Sequence, residues 1–181
     1  MTLAAPAARP DAALQVAAAR ATGVLGTPRD AAFDRLVFIA AQLFRAPIAT
    51  LSLLDGESIW YKSGVGVAWQ TLPRAVAFCG TAVAQCSPML VQDTLLDPRF
   101  QANPLVSGPP GVRFYAGAQV MAPEGLRGEG GAGPLPVGVL CVMDRQRRTV
   151  GAGQMARLVQ LAAEATALLA SYGAAAGGGL A

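Results

Sequence analysis

Apolar positions along this chain follow two rhythms. A recurrence every three to four residues marks helices, and short alternating or continuous runs mark strands. An Ala-rich stretch from Asp11 to Thr22 reads as a first helix, with Asp11 after Pro10 to cap it and Gly23 and Gly26 to break it. Thr27-Pro28 offers a cap followed by proline at a first helical position. Phe33, Leu36, Val37, Ala40, Ala41 and Phe44 then recur at helical spacing as far as Pro47, which bars continuation. Ile48 to Leu54 predicts a strand, Asp55-Gly56 a tight turn and Ser58 to Lys62 a returning strand. Residues 63–74, which hold Trp69 and Pro73, read as a loop. Ala75 to Cys86 reads as a helix with Phe78, Ala82 and Val83 on one face, and Met89 to Gln92 as a short strand.

A long irregular segment follows at residues 93–113. Inside it Asp97-Pro98-Arg99-Phe100 has the form of a helix start, and Asn103-Pro104 ends that turn, because a residue before proline avoids helix. A loop of this length in a compact domain usually serves function. Phe114 to Ala122 predicts a strand in which Gly117 allows close backbone approach. Residues 123–134 form a Gly-rich hairpin tip, Leu135 to Met143 a last apolar strand, and Gly153 to Tyr172 a helix. The helix carries an apolar stripe of Leu158, Leu161, Ala162, Ala165, Leu168, Leu169 and Tyr172. Residues 1–10 and 173–181 read as a disordered Ala/Pro-rich tail and a flexible Gly/Ala tail around one domain at 11–172. Antiparallel strands with segregated helices predict the α+β class.

Composition narrows the function classes. Hydrophobic residues make up 53% of the 181, but much of that is alanine, and no run is long enough to span a bilayer. The start of the chain lacks the basic and apolar blocks of a secretory signal, and three cysteines (79, 86 and 141) do not suit a disulfide framework. A cytoplasmic protein is expected. The net charge is +3, Lys62 is the only lysine, and the arginines are scattered apart from Arg145, Arg147 and Arg148, so no nucleic-acid surface is expected. Histidine is absent, which excludes Ser-His-Asp and Cys-His catalysis, imidazole metal sites and the usual neutral-pH general base. No metal or cofactor is expected.

The strings LGTPRDAAFDRL, PIATLSLLD, IWYKS, LPRAVAFCGTAV, VQDTLLDPRFQANPLVSGPPGVRFYAGA and VGVLCVMD, in this order over roughly residues 22–170, resemble the GAF domain family. The resemblance is to the bacterial subgroup found beside histidine kinases and diguanylate cyclases. It implies a central antiparallel sheet of five or six strands, N- and C-terminal helices on one face, and a ligand cavity on the other with residues 93–113 as its lid. It also implies a homodimer through the terminal helices, over the stripes at 11–22 and 153–172. Departures fall in loops: Gly56-Glu57 in the first hairpin turn, Gln119-Val120 after RFYAG, Arg147-Arg148 after the last strand, and a long tip at 123–134.

On that resemblance Phe78, Phe100, Phe114 and Tyr115 line the cavity, with the Tyr115 hydroxyl for polar contact. Asp93, Asp97, Arg99 and Arg113 are charges set among apolar residues. They serve either as an ion-pair and capping network that fixes the loop, or as a guanidinium clamp on an anionic ligand through Arg99 or Arg113. Cys79 and Cys141 are either small buried hydrophobes or redox thiols. The expected function is a non-catalytic sensory module for an unidentified small molecule or signalling partner. The alternatives are a ligand-free structural or dimerisation module and a thiol-dependent free methionine sulfoxide reductase. The CGTA segment at Cys79 to Ala82 suggests the reductase, and the lack of a cysteine in 93–113 argues against it. A bilin photosensor would want a histidine after its cysteine, and no cyclic-nucleotide signature is visible.

Overall fold

In the computed structural model, which describes residues 11–85, 87–126 and 135–177, the hairpin at Asp55-Gly56 forms as its sequence requires. Strands β1 (Ile48–Asp55) and β2 (Ser58–Val65) pair antiparallel, and Gly56 takes a φ of 64° at the first central position of the turn. The second strand outruns its predicted end, and Thr71–Pro73 adds a short edge strand, β3, where a loop was expected. Its residues lack alternation because little of it is buried. The chain continues through α3 (Phe78–Ala84), β4 (Met89–Val91), a short helix α4 (Pro104–Ser107), β5 (Phe114–Met121) and β6 (Pro136–Asp144). Six antiparallel strands lie in the order β3-β2-β1-β6-β5-β4.

Two long helices cover one face. They are α2 (Ala31–Phe44) and α5 (Ala152–Gly177), which run antiparallel, joined at one end by Gln154 Nε2 to the Leu43 carbonyl at 3.2 Å and at the other by the Tyr172 hydroxyl to Asp30. The helix α2 starts later than Thr27-Pro28 suggests. Asp30 is its cap, accepting from Ala32 N at 2.7 Å, because Thr27 and Pro28 are used elsewhere. Lys62 is buried and donates to the Thr27 hydroxyl at 2.7 Å and to the Pro28 carbonyl, with its ammonium 5.6 Å from the Phe33 ring centre and 5.4 Å from that of Tyr172. Burial lowers its pKa, against the pull of Asp30 and Asp34.

Five residues of the α5 stripe, Leu158, Leu161, Ala162, Ala165 and Leu169, are buried within the chain's own core, and Leu168 and Tyr172 pack against it partly buried. The first helix, α1 (Ala12–Ala21), also departs from expectation. Its buried Gln15 donates to the carbonyls of Val83 at 3.3 Å and Pro136 at 3.0 Å, which ties it to α3 rather than to α5. The last helix runs to Gly177, five residues into the expected tail, since alanine after Tyr172 favours helix. Residues 1–10, Cys86, the hairpin tip from 127 to 134 and residues 178–181 lie outside the described residues.

Gly138 marks the tightest point of the central strands. It pairs with Leu53 of β1 and Val120 of β5, and a Cβ there would stand 2.1 Å from the Ser52 carbonyl oxygen. That atom belongs to the β1 backbone, which cannot yield as a flexible side chain would. Gly138→Ala is expected to cost about 2–3 kcal/mol in a denaturant titration, the upper range for overpacking. Gly125→Ala, with nothing within 4 Å, should stay within about 0.5 kcal/mol of the parent.

Candidate functional site

The face opposite α2 and α5 carries α3 and the long segment 93–113, and the eight residues singled out from sequence divide there into two groups. Five form a closed cluster. Phe78 and Cys79 open α3, Tyr115 comes from β5, Cys141 from β6, and Phe100 from the long segment. The Phe78 ring lies 4.6 Å from Phe100 and 5.2 Å from Tyr115, stacked on the latter at 16°. The Tyr115 ring folds back along its own strand over Gly117, where a Cβ would meet its hydroxyl at 2.4 Å. The expected close approach at Gly117 is therefore made by a side chain two residues away.

Beneath the rings sit the thiols. Cys79 Sγ is 3.6 Å from Cys141 Sγ and 3.8 Å from the Tyr115 hydroxyl, and Cys141 Sγ is 3.2 Å from Thr50 Oγ1. All five of these side chains are buried to 2% exposure or less. Burial pushes the Tyr115 hydroxyl well above its usual range. The expected cavity under the lid is thus filled by its own lining: aromatic residues packed at ring-contact distance bury more apolar area than a hollow would. Phe114, expected beside them, points to the other face and meets Phe44 at 6.3 Å, because neighbours on a strand point opposite ways.

The charged residues form the second group, and they tie down the loop. Arg113 Nε and Nη2 reach Asp93 Oδ1 and Oδ2 at 2.9 and 2.8 Å, and Thr94 N bonds the Arg113 carbonyl at 2.9 Å. The long segment is therefore closed at its neck by a two-pronged ion pair. Asp93 also caps a 3₁₀ turn at Thr94–Leu96. Asp97 holds the backbone N–H of Arg99 at 3.0 Å and its guanidinium, but the chain makes a single turn there and no helix follows. Asn103-Pro104 ends that turn as expected, and Asn103 then caps α4 with Pro104 in its first turn, so the same pair also begins a helix. Arg113 foremost holds the Asp93 carboxyl below its ordinary 3.8, and Arg99 does the same for Asp97. With folded-state values depressed, these ties are fully present above pH 3.8 and are lost as pH falls through the lowered values.

Asp93, Asp97 and Arg99 reach an open groove of about 830 Å³ along the free edge of β4. Leu90, Val91, Leu96 and Pro98 supply its apolar wall, and Arg147, Arg148 and Thr149 from the turn after β6 close the far side. Leu96 stands at the rim, 78% exposed. Two of the arginines are occupied: Arg99 by Asp97, and Arg148 by Asp144 and the carbonyls of Phe44 and Arg45. Arg147 is exposed and has no ion pair among the described residues, although its charge helps lower the Asp93 pKa. From sequence Arg147 stands out only through the cluster of Arg145, Arg147 and Arg148 and the Arg147-Arg148 departure after the last strand. Among the described residues no cluster of three or more Cys, Asp or Glu could hold a metal ion, and no helix is long and apolar enough to cross a membrane.

A GAF domain family model matches residues 28–170. A cyclic di-GMP phosphodiesterase from Pseudomonas aeruginosa is 37% identical over 126 residues, covering 70% of this chain; the chain spans about a fifth of that protein's length, 20%. Among solved structures, the GAF domain of a phosphoenolpyruvate-protein phosphotransferase from Coxiella burnetii superposes with a TM-score of 0.63 at 18% identity, over 94% of this chain and 100% of its own. A free methionine-R-sulfoxide reductase from Neisseria meningitidis superposes with a TM-score of 0.60 at 16% identity, over 97% and 99%. At such identities the likeness concerns the fold alone.

Proposed function

We propose, from the premise that this chain belongs to the GAF domain family, that it is a non-catalytic regulatory module of signal transduction that takes an anionic small molecule in the groove beside β4. The observation that carries this reading is the groove's composition: an apolar wall faced by the Arg147 guanidinium, which has no ion pair among the described residues. A guanidinium fork matches carboxylate or phosphate, and Leu90, Leu96 and Pro98 would take the apolar part of the same molecule. The likeness to part of a cyclic di-GMP phosphodiesterase supports an output within signalling. The groove spans the start of the long segment and the turn that precedes α5, so a ligand bridging them would bias the position of both. That gives a partner two states to read.

A thermal-shift panel of nucleotides, amino acids, carboxylates and inorganic phosphate tests this. At least one anion is expected to raise the melting temperature, and Arg147→Ala is expected to abolish that rise. Because Arg147 is exposed, the variant should otherwise melt within about 0.5 kcal/mol of the parent. No shift with any anion would favour a ligand-free structural or dimerisation module, and a shift that survives Arg147→Ala would place binding elsewhere.

A further inference from the structure

The thiol pair under α3 is not used by the regulatory reading, and its geometry suggests a chemistry of its own. Two cysteines 62 positions apart in sequence place their sulfurs 3.6 Å apart, at van der Waals contact. Each sulfur has a hydroxyl beside it, Tyr115 for Cys79 and Thr50 for Cys141. A disulfide needs the sulfurs about 1.5 Å closer. Cys141 sits on a central strand, paired through Thr50 to β1 and through Gly117 to β5, and cannot move far. Cys79 sits in α3, a seven-residue helix whose N-cap, Ala77, makes no side-chain bond. This is a cheap element to displace or to open briefly, which also answers how an oxidant reaches a buried pair.

We propose that Cys79 and Cys141 are a redox-active pair that hydrogen peroxide closes into an intrachain disulfide, clamping α3 onto the centre of the sheet. Cys79 is the attacking sulfur because it sits on the displaceable α3, with the Cys141 thiol 3.6 Å away and the Tyr115 hydroxyl 3.8 Å away to hydrogen-bond its ionised form. The Cys79 thiolate attacks one peroxide oxygen. An S–O bond forms, the O–O bond breaks, and the departing hydroxide takes up a proton as water. The Cys141 sulfur then displaces the hydroxyl from the Cys79 sulfenic acid, and that hydroxyl leaves with the Cys141 proton as a second water. The two thiols give up two electrons and two protons in total, and one peroxide accepts them. Phe78, next to Cys79, holds the Phe100 ring of the long segment, so clamping α3 also fixes how that segment sits. This inference is independent of the groove.

The test uses the full chain with Cys86→Ser, in which an intrachain disulfide has a single assignment, beside the parent protein. After reduction, desalting and peroxide treatment, the expected result is a monomer lighter by two hydrogen atoms. It should have no alkylatable thiol after unfolding, and its α3 amides should exchange more slowly than in the reduced form. In the parent, fragment mass spectrometry should assign the dominant disulfide to Cys79 and Cys141. The proposal is overturned if both thiols of Cys86→Ser remain alkylatable after treatment that oxidises the half-buried Met121 and Met155. It is also overturned if every disulfide in the parent runs through Cys86.

Discussion

Phe78→Ala is expected to destabilise the protein by about 3–5 kcal/mol, a drop in melting temperature on the order of 10 °C. The ring is 1% exposed and is sandwiched between Phe100 and Tyr115, and α3 has no side-chain cap that would hold it without this anchor. Removing it takes away apolar burial and leaves a void that the stiff strand below cannot fill. Urea denaturation of parent and variant gives the number directly. The measurement also separates two views of this face. If Phe78 belonged to the wall of a roomy receptor, the ring would already lack neighbours on one side, and its loss would cost only about 1 kcal/mol. A small value would therefore restore the ligand cavity that packing here displaces. The variant should also gain affinity for a small apolar molecule such as benzene, which enters dry engineered cavities of this kind.

Arg148→Ala is expected to cost about 3 kcal/mol, although the side chain lies at the surface end of the fold. Its guanidinium pairs with Asp144, whose side chain is 8% exposed, and also donates to the carbonyls of Phe44 at 2.7 Å and Arg45 at 2.9 Å. Its backbone N–H bonds the Gln92 carbonyl at 3.0 Å. One side chain thus joins the end of α2, the end of β6 and the turn that leads to α5. Its removal strands a buried carboxylate and two helix-end carbonyls, and breaking one side of a buried pair is costly because the other charge stays unpaired. A denaturant titration of parent and variant near neutral pH checks this. A cost within about 0.5 kcal/mol at neutral pH would mean that solvent, not Arg148, satisfies Asp144. The contrast with Arg147 is sharp: adjacent residues of the same type serve structure in one case and face an open groove in the other.

Local chemistry made most elements legible. The Asp55-Gly56 turn, the helical spacing of Phe33 to Phe44, the apolar run of β6 and the α5 stripe were all readable, because each is dictated by a periodicity or a turn residue within a few positions. Element ends were less so. Thr27-Pro28 looks like a helix cap, but a distant Lys62 claims both groups, and the cap falls to Asp30. Asp97-Pro98 and Asn103-Pro104 carry similar signals, and each side chain accepts from the backbone N–H two residues on, yet only the second starts a helix. The edge strand β3 had no pattern of its own and exists because β2 offers it a partner.

The sequence by itself determined the family, the α+β class and the absence of histidine, since these rest on motif order, local spacing and composition. Tertiary structure alone decided what those residues do together. It filled the expected hollow with Phe78, Phe100 and Tyr115, tied Arg113 and Arg99 to neighbouring carboxylates, left Arg147 with no ion pair among the described residues, and brought two thiols into contact from 62 positions apart. The physical reason is range. Turns and helical faces depend on neighbours a few residues away, whereas the balance between an ion pair, a packed ring and an empty space depends on which distant side chain arrives to compete for it.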